Sequence, residues 1–410
     1  MRWSGTAPLL LQRPHLRIRK MIPMVEKILL AIEAMSEVDE MAAAADKHGY
    51  HLRVLAEDAA YYGDTEAEMV TFPTRNHDEL ATYIEKNRAS IAQVFSVTDT
   101  WGVIASKIRD KFGFLQFGDT AKLEFFRDKE AVESALIAHG FARRSNSWPK
   151  VMKLRNGTGK IGVYFAQSED EVTKIVDISG YKRDDFVVQD FYFGPAYSAE
   201  VWRDTHHEIF FGITNRILSD PPYFTERVKS FPWAADSQWE TKVREWAFQL
   251  LRTLDYTLGL AHIEFIETSN GFRLVEINAR MAGALITPGI LATTNFNPYA
   301  MAVHQALDVP LCEVMNREIR GGYSHVSVYA TSTGTIASIH GIDQLVHNPG
   351  APTWVPSREI GDRIVEVGTY RSRIGNLMAT GETAAIAQDR AISASSLISV
   401  RISTGGTTHV

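Results

Sequence analysis

The chain of 410 residues has a single cysteine, Cys312. One cysteine excludes an intramolecular disulfide and a metal site built from several thiolates. The sequence also lacks any apolar run that approaches the roughly 20 residues of a membrane-spanning helix. The run at residues 23–32, for example, is broken by Glu26 and Lys27. These absences argue against a membrane protein and fit a reducing compartment, so we predict a cytoplasmic location.

The chain has no excess of basic residues either. Its 43 Lys and Arg residues are outnumbered by 49 Asp and Glu residues, which gives a formal net charge of −6. Nucleic-acid-binding domains are usually strongly basic, so the composition argues against nucleic acid as a partner. Apolar residues make up 45% and charged residues 22% of the chain, as in soluble globular proteins. The length predicts two or three domains.

The first twenty residues contain no acidic side chain. The basic residues of this leader are Arg2, Arg13, Arg17, Arg19 and Lys20. An Arg-rich, acid-poor leader can be a targeting peptide, although this one lacks the apolar core and cleavage site of a secretory signal. The alternative is an extension upstream of a start at Met21 or Met24. We predict that residues 1–24 are disordered and lie outside the fold.

Strands and helices alternate after the leader. Apolar runs predict strands at 27–33, 51–57 and 92–97. Ser36 is a predicted N-cap, with Asp39 three residues later, for an Ala-rich helix that ends near Gly49. A second helix is expected from Asp99 to Lys111. This alternation predicts a parallel α/β sheet, and the absence of a glycine-rich motif after the first strand argues against a dinucleotide site.

The remainder of the chain has a more mixed pattern. Helices are predicted at 119–140, 237–256 and 383–393, and strands at 187–193, 197–203 and 397–402. Residues 147–166 predict two strands around a glycine-rich loop. Residues 218–235 contain three prolines and predict a long irregular loop.

The segment 259–283 contains the sharpest chemical signal, because two apolar runs flank Ser269-Asn270-Gly271 and predict a hairpin. Glu276 and Asn278 share one face of the second strand because they are two residues apart. A three-residue loop with a left-handed Gly271 would place Glu264 opposite Glu276, and we predict this loop. Two carboxylates and an amide oxygen suit Mg²⁺, since like charges placed opposite each other need a cation. The alternative is an exposed hairpin whose acids face water.

Cationic residues accompany these acids. Arg280 would share the face of the acids on an extended continuation, where it could hold an oxyanion between itself and divalent metals. Lys153 precedes the glycine-rich residues 156–160, whose backbone N–H groups could cradle phosphate. This segment does not have the Walker spacing, and a plain hairpin turn remains an alternative. Lys129 is, by itself, one helical lysine among many.

Taken together and in order, these pieces resemble the ATP-grasp superfamily. The order is Asp-Lys on a helix, a strand lysine before a glycine-rich hairpin, an acid-aromatic segment that ends in Gly-Pro, a strand Glu, and finally Glu276-Ile277-Asn278-Ala279-Arg280. The resemblance covers roughly residues 25–320. The tail and the segment 222–227 are similar to the L-amino acid ligases.

The resemblance implies an α/β (α+β) ATP-grasp fold. It consists of an N-terminal parallel α/β domain at 25–118, an ATP-grasp domain at 119–320 with a lid at about 146–193, and a C-terminal antiparallel-sheet region at 321–410. The resemblance also implies ATP and Mg²⁺ as cofactors, with Mn²⁺ as a possible substitute.

Each site residue has an implied role. The phosphates of ATP would be contacted by Lys129 and Lys153, and the lid would contain Gly157, Thr158 and Gly159. Adenine would be held by Gln189, Asp190 and Tyr192. Mg²⁺ would be bound by Glu264, Glu276 and Asn278, and the transferring phosphate would be held by Arg280. The sequence departs from the family at Ala196, where a ribose-binding Glu is common. Glu200 or a neighbouring residue is our candidate substitute.

The activity implied by the resemblance is ligation of a carboxylate to an amine, both expected to be small amino acids, with ATP converted to ADP and phosphate. The same fold could instead use a carrier-protein thiol or a hydroxyl as acceptor. A non-catalytic nucleotide-binding module is the alternative from a different class, and Ala196 gives it some support. A homodimer is possible, because family members are often dimers.

Overall fold

A computed structural model describes residues 27–35, 37–157, 162–311 and 316–403. The predicted leader and Ser36 lie outside this range. Within it, no helix combines the length and the apolar character that crossing a membrane requires.

The first part of the chain forms the predicted parallel α/β layer. Its elements are β1 (Ile28–Ile32), α1 (Val38–Lys47), β2 (His51–Ala56), β3 (Glu68–Thr71), α2 (His77–Lys86), β4 (Ile91–Phe95) and α3 (Asp99–Phe112). The strands are all parallel in the order β3-β2-β1-β4. β1 is buried at every position, as expected of a strand covered on both faces. The residue that precedes α1 is Glu37, which provides no side-chain cap.

A small antiparallel sheet follows. The elements of this part of the chain are α4 (Thr120–Arg127), α5 (Lys129–Ala138), β5 (Lys150–Leu154), β6 (Val163–Ala166), α6 (Glu169–Ser179) and β7 (Phe186–Asp190). The three strands form the sheet in the order β6-β5-β7. The single helix predicted at 119–140 is wrong, because Asp128 divides it. The Asp128 carboxylate accepts hydrogen bonds from the N–H groups of Glu130 and Ala131 and thereby caps α5. This cap places Lys129 at the first position of a helix.

The central sheet has eight strands. The elements are β8 (Ala196–Arg203), β9 (Glu208–Leu218), β10 (Glu226–Phe231), α7 (Gln238–Thr253), β11 (Gly259–Thr268), β12 (Gly271–Asn278), α8 (Ile286–Thr293), α9 (Pro298–Leu307), β13 (Gly322–Tyr329), β14 (Gly334–His340), β15 (Thr353–Pro356), β16 (Arg363–Ile364), β17 (Arg373–Gly381), α10 (Ala384–Ser395) and β18 (Ser399–Ser403). The order is β12-β11-β8-β9-β10-β13-β17-β15. The predicted loop at 218–235 therefore contains a strand, β10.

The sheet joins the two regions that we separated at residue 320, because β13, β15 and β17 pair with strands from the preceding region or with one another. A further three-stranded sheet, β16-β14-β18, lies entirely in the C-terminal region. The mixed α/β class, with a parallel N-terminal sheet and antiparallel sheets after it, is confirmed.

Candidate functional site

The acidic hairpin consists of β11 and β12, and Glu264 lies directly opposite Glu276. The turn differs from our prediction, because Thr268 pairs with Gly271 and leaves a loop of two residues. Val275 is an extra residue in β12, and this bulge shifts the register by one position before Glu276. The predicted opposition of the two acids is correct, but the bulge produces it and the predicted three-residue loop is wrong.

Two lysines from different elements converge on the second acid. Lys129 Nζ lies 3.0 Å from Glu276 Oε1 and donates to the carbonyl oxygen of Gly157 at 2.6 Å. Lys153 Nζ donates to the carbonyl oxygen of Val275 at 3.1 Å, so the bulged residue provides its acceptor. Burial lowers the pKa of the Lys153 ammonium, and the nearby Glu276 carboxylate opposes part of this shift. Both lysines therefore stand beside the hairpin, as an anionic ligand would require.

The first acid is paired with a residue that sequence reasoning missed. Arg216 on β9 places Nη1 2.6 Å from Glu264 Oε2, and its Nη2 forms an ion pair with Glu226. The Arg216 side chain is only 4% exposed, so both pairs are shielded from water. Burial would raise the pKa of the Glu264 carboxyl, but Arg216 and His262 hold it well below its usual range. Glu264 is thus kept as a carboxylate.

The residues that follow Glu276 face the same region. Asn278 is 7% exposed, and its Nδ2 atom has no hydrogen-bond partner within the described residues. Arg280 Nε donates to Asp99 Oδ2 at 2.8 Å, and its Nη1 donates to the carbonyl oxygen of Met281. Burial would lower the pKa of Arg280, but the Asp99 carboxylate raises it above its ordinary value. Asp99, which the sequence indicated only as a helix start, therefore positions the predicted catalytic arginine.

A cleft of about 450 Å³ opens on one side of the two acids. The predicted nucleotide residues that line it are Lys129, Lys153, Gly157, Gln189, Asp190 and Tyr192. Glu264, Glu276 and Ala196 also contribute to its wall. Asp190 forms an ion pair with Lys150, so its carboxylate is engaged within the small sheet. The wall of the cleft therefore combines two lysines with apolar and amide side chains and with the two acids.

Gly194 lies in the wall of this cleft, where its backbone passes close to the backbone of Glu267. It has φ of +147°, and an added Cβ would lie 1.8 Å from the carbonyl oxygen of Glu267. We expect Gly194→Ala to lower the free energy of unfolding by roughly 1–3 kcal/mol, because the backbone must move or remain strained. Urea denaturation would measure this loss. Gly271→Ala is the control, since a Cβ there meets nothing within 4 Å although its φ is also positive; an equal loss in both variants would contradict the steric argument.

A second cavity of about 330 Å³ also borders the two acids. It shares Glu264 and Glu276 with the cleft and adds Asn278 and Arg280. Its remaining wall includes Asp99, segments around Tyr223 and Tyr370, and the charged residues Glu226, Lys229 and Arg373. The acids thus stand at the junction of two cavities, where groups bound on either side would meet.

Comparisons with known proteins agree with this geometry. Residues 327–403 match the family described as L-amino acid ligase C-terminal domain 2. The L-amino acid ligase of Bacillus licheniformis superposes with a TM-score of 0.78 and 15% identity, covering 92% of this chain and 99% of that one. The chain has the ATP-grasp fold. This finding and the match of the C-terminal domain confirm the resemblance predicted from the sequence.

Two further relatives extend the comparison. The biotin carboxylase domain of the Hydrogenobacter thermophilus 2-oxoglutarate carboxylase, a dimer solved with MgADP, ADP and bicarbonate, has a TM-score of 0.67 and 14% identity, with 92% of this chain and 91% of that chain covered. The uncharacterized protein y4rH of Sinorhizobium fredii is 29% identical over 369 residues, which is 80% of this chain and 73% of that protein.

One predicted nucleotide residue does not reach the cleft of this ATP-grasp fold. Glu200 is 1% exposed, and its carboxylate accepts hydrogen bonds from Ser198 and Thr214 and pairs with His262 Nδ1 at 2.8 Å. Burial would lower the pKa of His262, but Glu200 and Glu264 raise it to about 9. The structure gives no support to the assignment of Glu200 to the ribose, because the oxygens of its carboxylate already have partners inside the sheet. Thr158 and Gly159 lie outside the described residues.

The chemical composition of the predicted metal ligands fits a hard cation. No group of three or more His, Cys, Asp or Glu side chains in the described ranges could hold a metal ion. The predicted Mg²⁺ ligands are not such a group, because they consist of two opposed carboxylates and one amide. The Asn278 Nδ2 donor, which has no partner within the described residues, indicates that an acceptor atom of a ligand belongs beside it, while the Oδ1 of the same amide is the atom that could bind a metal. Oxygen donors of this kind are those that Mg²⁺ prefers.

Proposed function

We propose that this protein is an ATP-dependent ligase that activates a small carboxylate as an acyl phosphate and joins it to an amine. The observation that supports this most directly is the position of Glu264 and Glu276 between two cavities, one lined by lysines and the other by Arg280. A nucleotide in the cleft would present its terminal phosphate to a carboxylate in the second cavity. The names of the structural relatives, among them an L-amino acid ligase, support the same reaction.

The chemistry begins with attack of a carboxylate oxygen on the γ-phosphorus of ATP. The bond from that phosphorus to the β,γ-bridging oxygen breaks, and ADP leaves. Phosphoryl transfer depends mainly on positioning and charge neutralisation. Lys129 and Lys153 would bind phosphate oxygens, and Arg280 would bind the transferring group. Glu264, Glu276 and Asn278 would hold Mg²⁺, which neutralises phosphate charge when bound.

The second step is attack of an amine on the acyl carbon. The nitrogen–carbon bond forms, the amine loses a proton, and inorganic phosphate leaves with its former carboxylate oxygen. Arg280, which the ion pair with Asp99 holds in place, would stabilise the oxyanion of the tetrahedral intermediate. We propose a dipeptide or a related amide as product, on the strength of the C-terminal domain match.

The test is a matrix of paired amino acids incubated with the protein, ATP and Mg²⁺. We expect ADP and phosphate to appear only with a productive pair, and mass analysis to show an amide. A thioester or ester product would show that the acceptor is a thiol or a hydroxyl and not an amine. Absence of ADP release from every mixture, including carrier-thiol and hydroxyl acceptors, would refute the ligase proposal.

Lys153 provides a separate test of the nucleotide cleft. We expect Lys153→Met to raise the Kd for ATP by roughly 10- to 100-fold, since a charge-assisted hydrogen bond contributes about 1.5–3 kcal/mol. Calorimetric titration would measure the Kd. Lys107→Met is the control, because Lys107 pairs with Glu124 and is half exposed. Unchanged ATP affinity in Lys153→Met would remove Lys153 from the phosphate site.

The accompanying predictions concern cofactors and partners. We propose ATP with Mg²⁺, for which Mn²⁺ can substitute, and small-molecule substrates without nucleic acid or membrane. A homodimer is proposed by comparison with the dimeric biotin carboxylase domain. A cytoplasmic location is proposed from the composition of the sequence.

A further inference from the structure

The second cavity has two chemically different ends. One end holds Glu264, Glu276 and Arg280 from β11, β12 and the segment after them. The other end is built by Tyr329 and Arg373, from β13 and β17. In the sheet order, β12 and β17 are six steps apart, which at about 4.8 Å a step is roughly 29 Å along the sheet. Residues of both strands line one cavity, so a molecule bound in it can contact both groups of residues.

Arg373 differs from the other cations of this cavity. Arg280 is paired with Asp99, and Lys229 is paired with Glu226. The half-buried Arg373 donates only from Nε to Ser357 Oγ, at 3.3 Å, and no carboxylate of the described residues lies within 4 Å of its nitrogens. A guanidinium that lines a cavity without an acidic partner is suited to an anion supplied by a ligand.

The surroundings of Arg373 reinforce its positive charge. Lys229 and Arg216 both bind the single carboxylate of Glu226, so this carboxylate is already shared. Burial lowers the pKa of His325 well below its usual value, and Lys229 and Arg373 lower it further, so His325 stays neutral. Glu226, an acidic residue of this wall, is therefore ion-paired with Lys229 and Arg216 and not with Arg373.

Resting on the proposed ligase function, we infer that Arg373 binds a substrate carboxylate other than the one that is phosphorylated, and selects substrates that carry it. The guanidinium can hold both oxygens of such a carboxylate through two parallel hydrogen bonds. Two sources share this chemistry: the α-carboxylate of the amine substrate and an acidic side chain. Arg373 is then a specificity-determining residue, and Arg280 retains the reaction itself.

The experiment compares carboxylates with their amides. ADP release is measured with one carboxylate donor held constant and with glutamate, glutamine, glycine or glycinamide as the amine. We expect Arg373→Ala to raise the KM of the preferred acid by roughly 10- to 100-fold, while the KM of its amide and of ATP stay unchanged. Arg373→Lys should recover part of the loss. Discrimination between glycine and glycinamide identifies the α-carboxylate, and discrimination between glutamate and glutamine identifies a side chain.

Arg371→Ala is the matched control. Arg371 lies two residues away, is 54% exposed and pairs with Glu366, so it should leave every KM unchanged. An equal effect of Arg373→Ala on acid and amide, or the same effect in Arg371→Ala, would overturn the inference. If wild-type protein releases no ADP with any pair, the ligase proposal fails separately. Calorimetric titration with glutamate then tests the role of Arg373, because Arg373→Ala should weaken glutamate binding and Arg371→Ala should not. Equal affinity for glutamate in wild type and Arg373→Ala would overturn the inference.

Discussion

Glu276→Gln is expected to lower substrate-dependent ADP release by at least roughly 10²–10³-fold, the range found when one electrostatic contact of a reaction centre is removed. The carboxylate faces both cavities and pairs with Lys129. The amide has nearly the same shape but carries no charge. It cannot neutralise Lys129, and it is a weaker ligand for Mg²⁺. Steady-state ADP release at saturating ATP measures the effect.

The control for this variant is Glu267→Gln on the same hairpin. Glu267 lies three residues after Glu264 on β11, so its side chain is on the opposite face of the strand. It accepts a hydrogen bond from Trp239 Nε1 at 2.8 Å. Glutamine can accept the same bond, so turnover should stay near the wild-type value. Wild-type turnover in Glu276→Gln would show that the acid does not belong to the reaction centre, whatever its geometry.

The chemical core of the site could be predicted because its signals are local or follow a fixed order. A spacing of two residues placed Glu276 and Asn278 on one face of a strand, and the order of the motifs indicated that Lys129 and Lys153 belong with them. The structure brings these residues to one hairpin. Their roles in binding and catalysis remain predictions, since they depend on ligands.

The register of the hairpin shows where local reasoning fails. The sequence around Ser269 permits several turns, and each one specifies a different set of partners. The bulge at Val275 has no marker in the sequence, because valine is an ordinary strand residue. The bulge forms where Lys153 from another sheet donates to the Val275 carbonyl, so its stabilisation comes from tertiary structure. The division of the helix at Asp128 is different, since an Asp at a helix start is a signal that sequence reasoning could have used.

Long-range charge pairs could not be predicted at all. Arg216 and Glu264 are far apart in the sequence and meet only because β8 pairs with both β9 and β11. The same topology places His262 against Glu200. Neither residue type nor spacing distinguishes such an arginine from a surface one before the sheet order is known.

Arg216→Met is expected to lower the free energy of unfolding by about 3–5 kcal/mol, the usual loss when one partner of a buried ion pair is removed. Arg216 joins Glu264 to Glu226 and is almost completely shielded from water. Methionine has a similar length and would fill much of the space. However, it would leave the Glu264 carboxylate with only His262 as a cationic partner within the described residues. The midpoint of urea denaturation, with the slope fixed by wild type, measures the loss.

The control for Arg216→Met is an exposed pair. Arg252 binds Glu208 at 2.5 Å and is 50% exposed, so Arg252→Met should cost less than about 1 kcal/mol. Arg216→Lys should fall between the two, because one ammonium cannot reproduce a guanidinium that bridges two carboxylates. Equal losses in Arg216→Met and Arg252→Met would contradict the buried bridge. If the bridge is real, Arg216→Met also frees Glu264 to change orientation, so ATP should bind less tightly in Mg²⁺ while Arg252→Met binds it as wild type does.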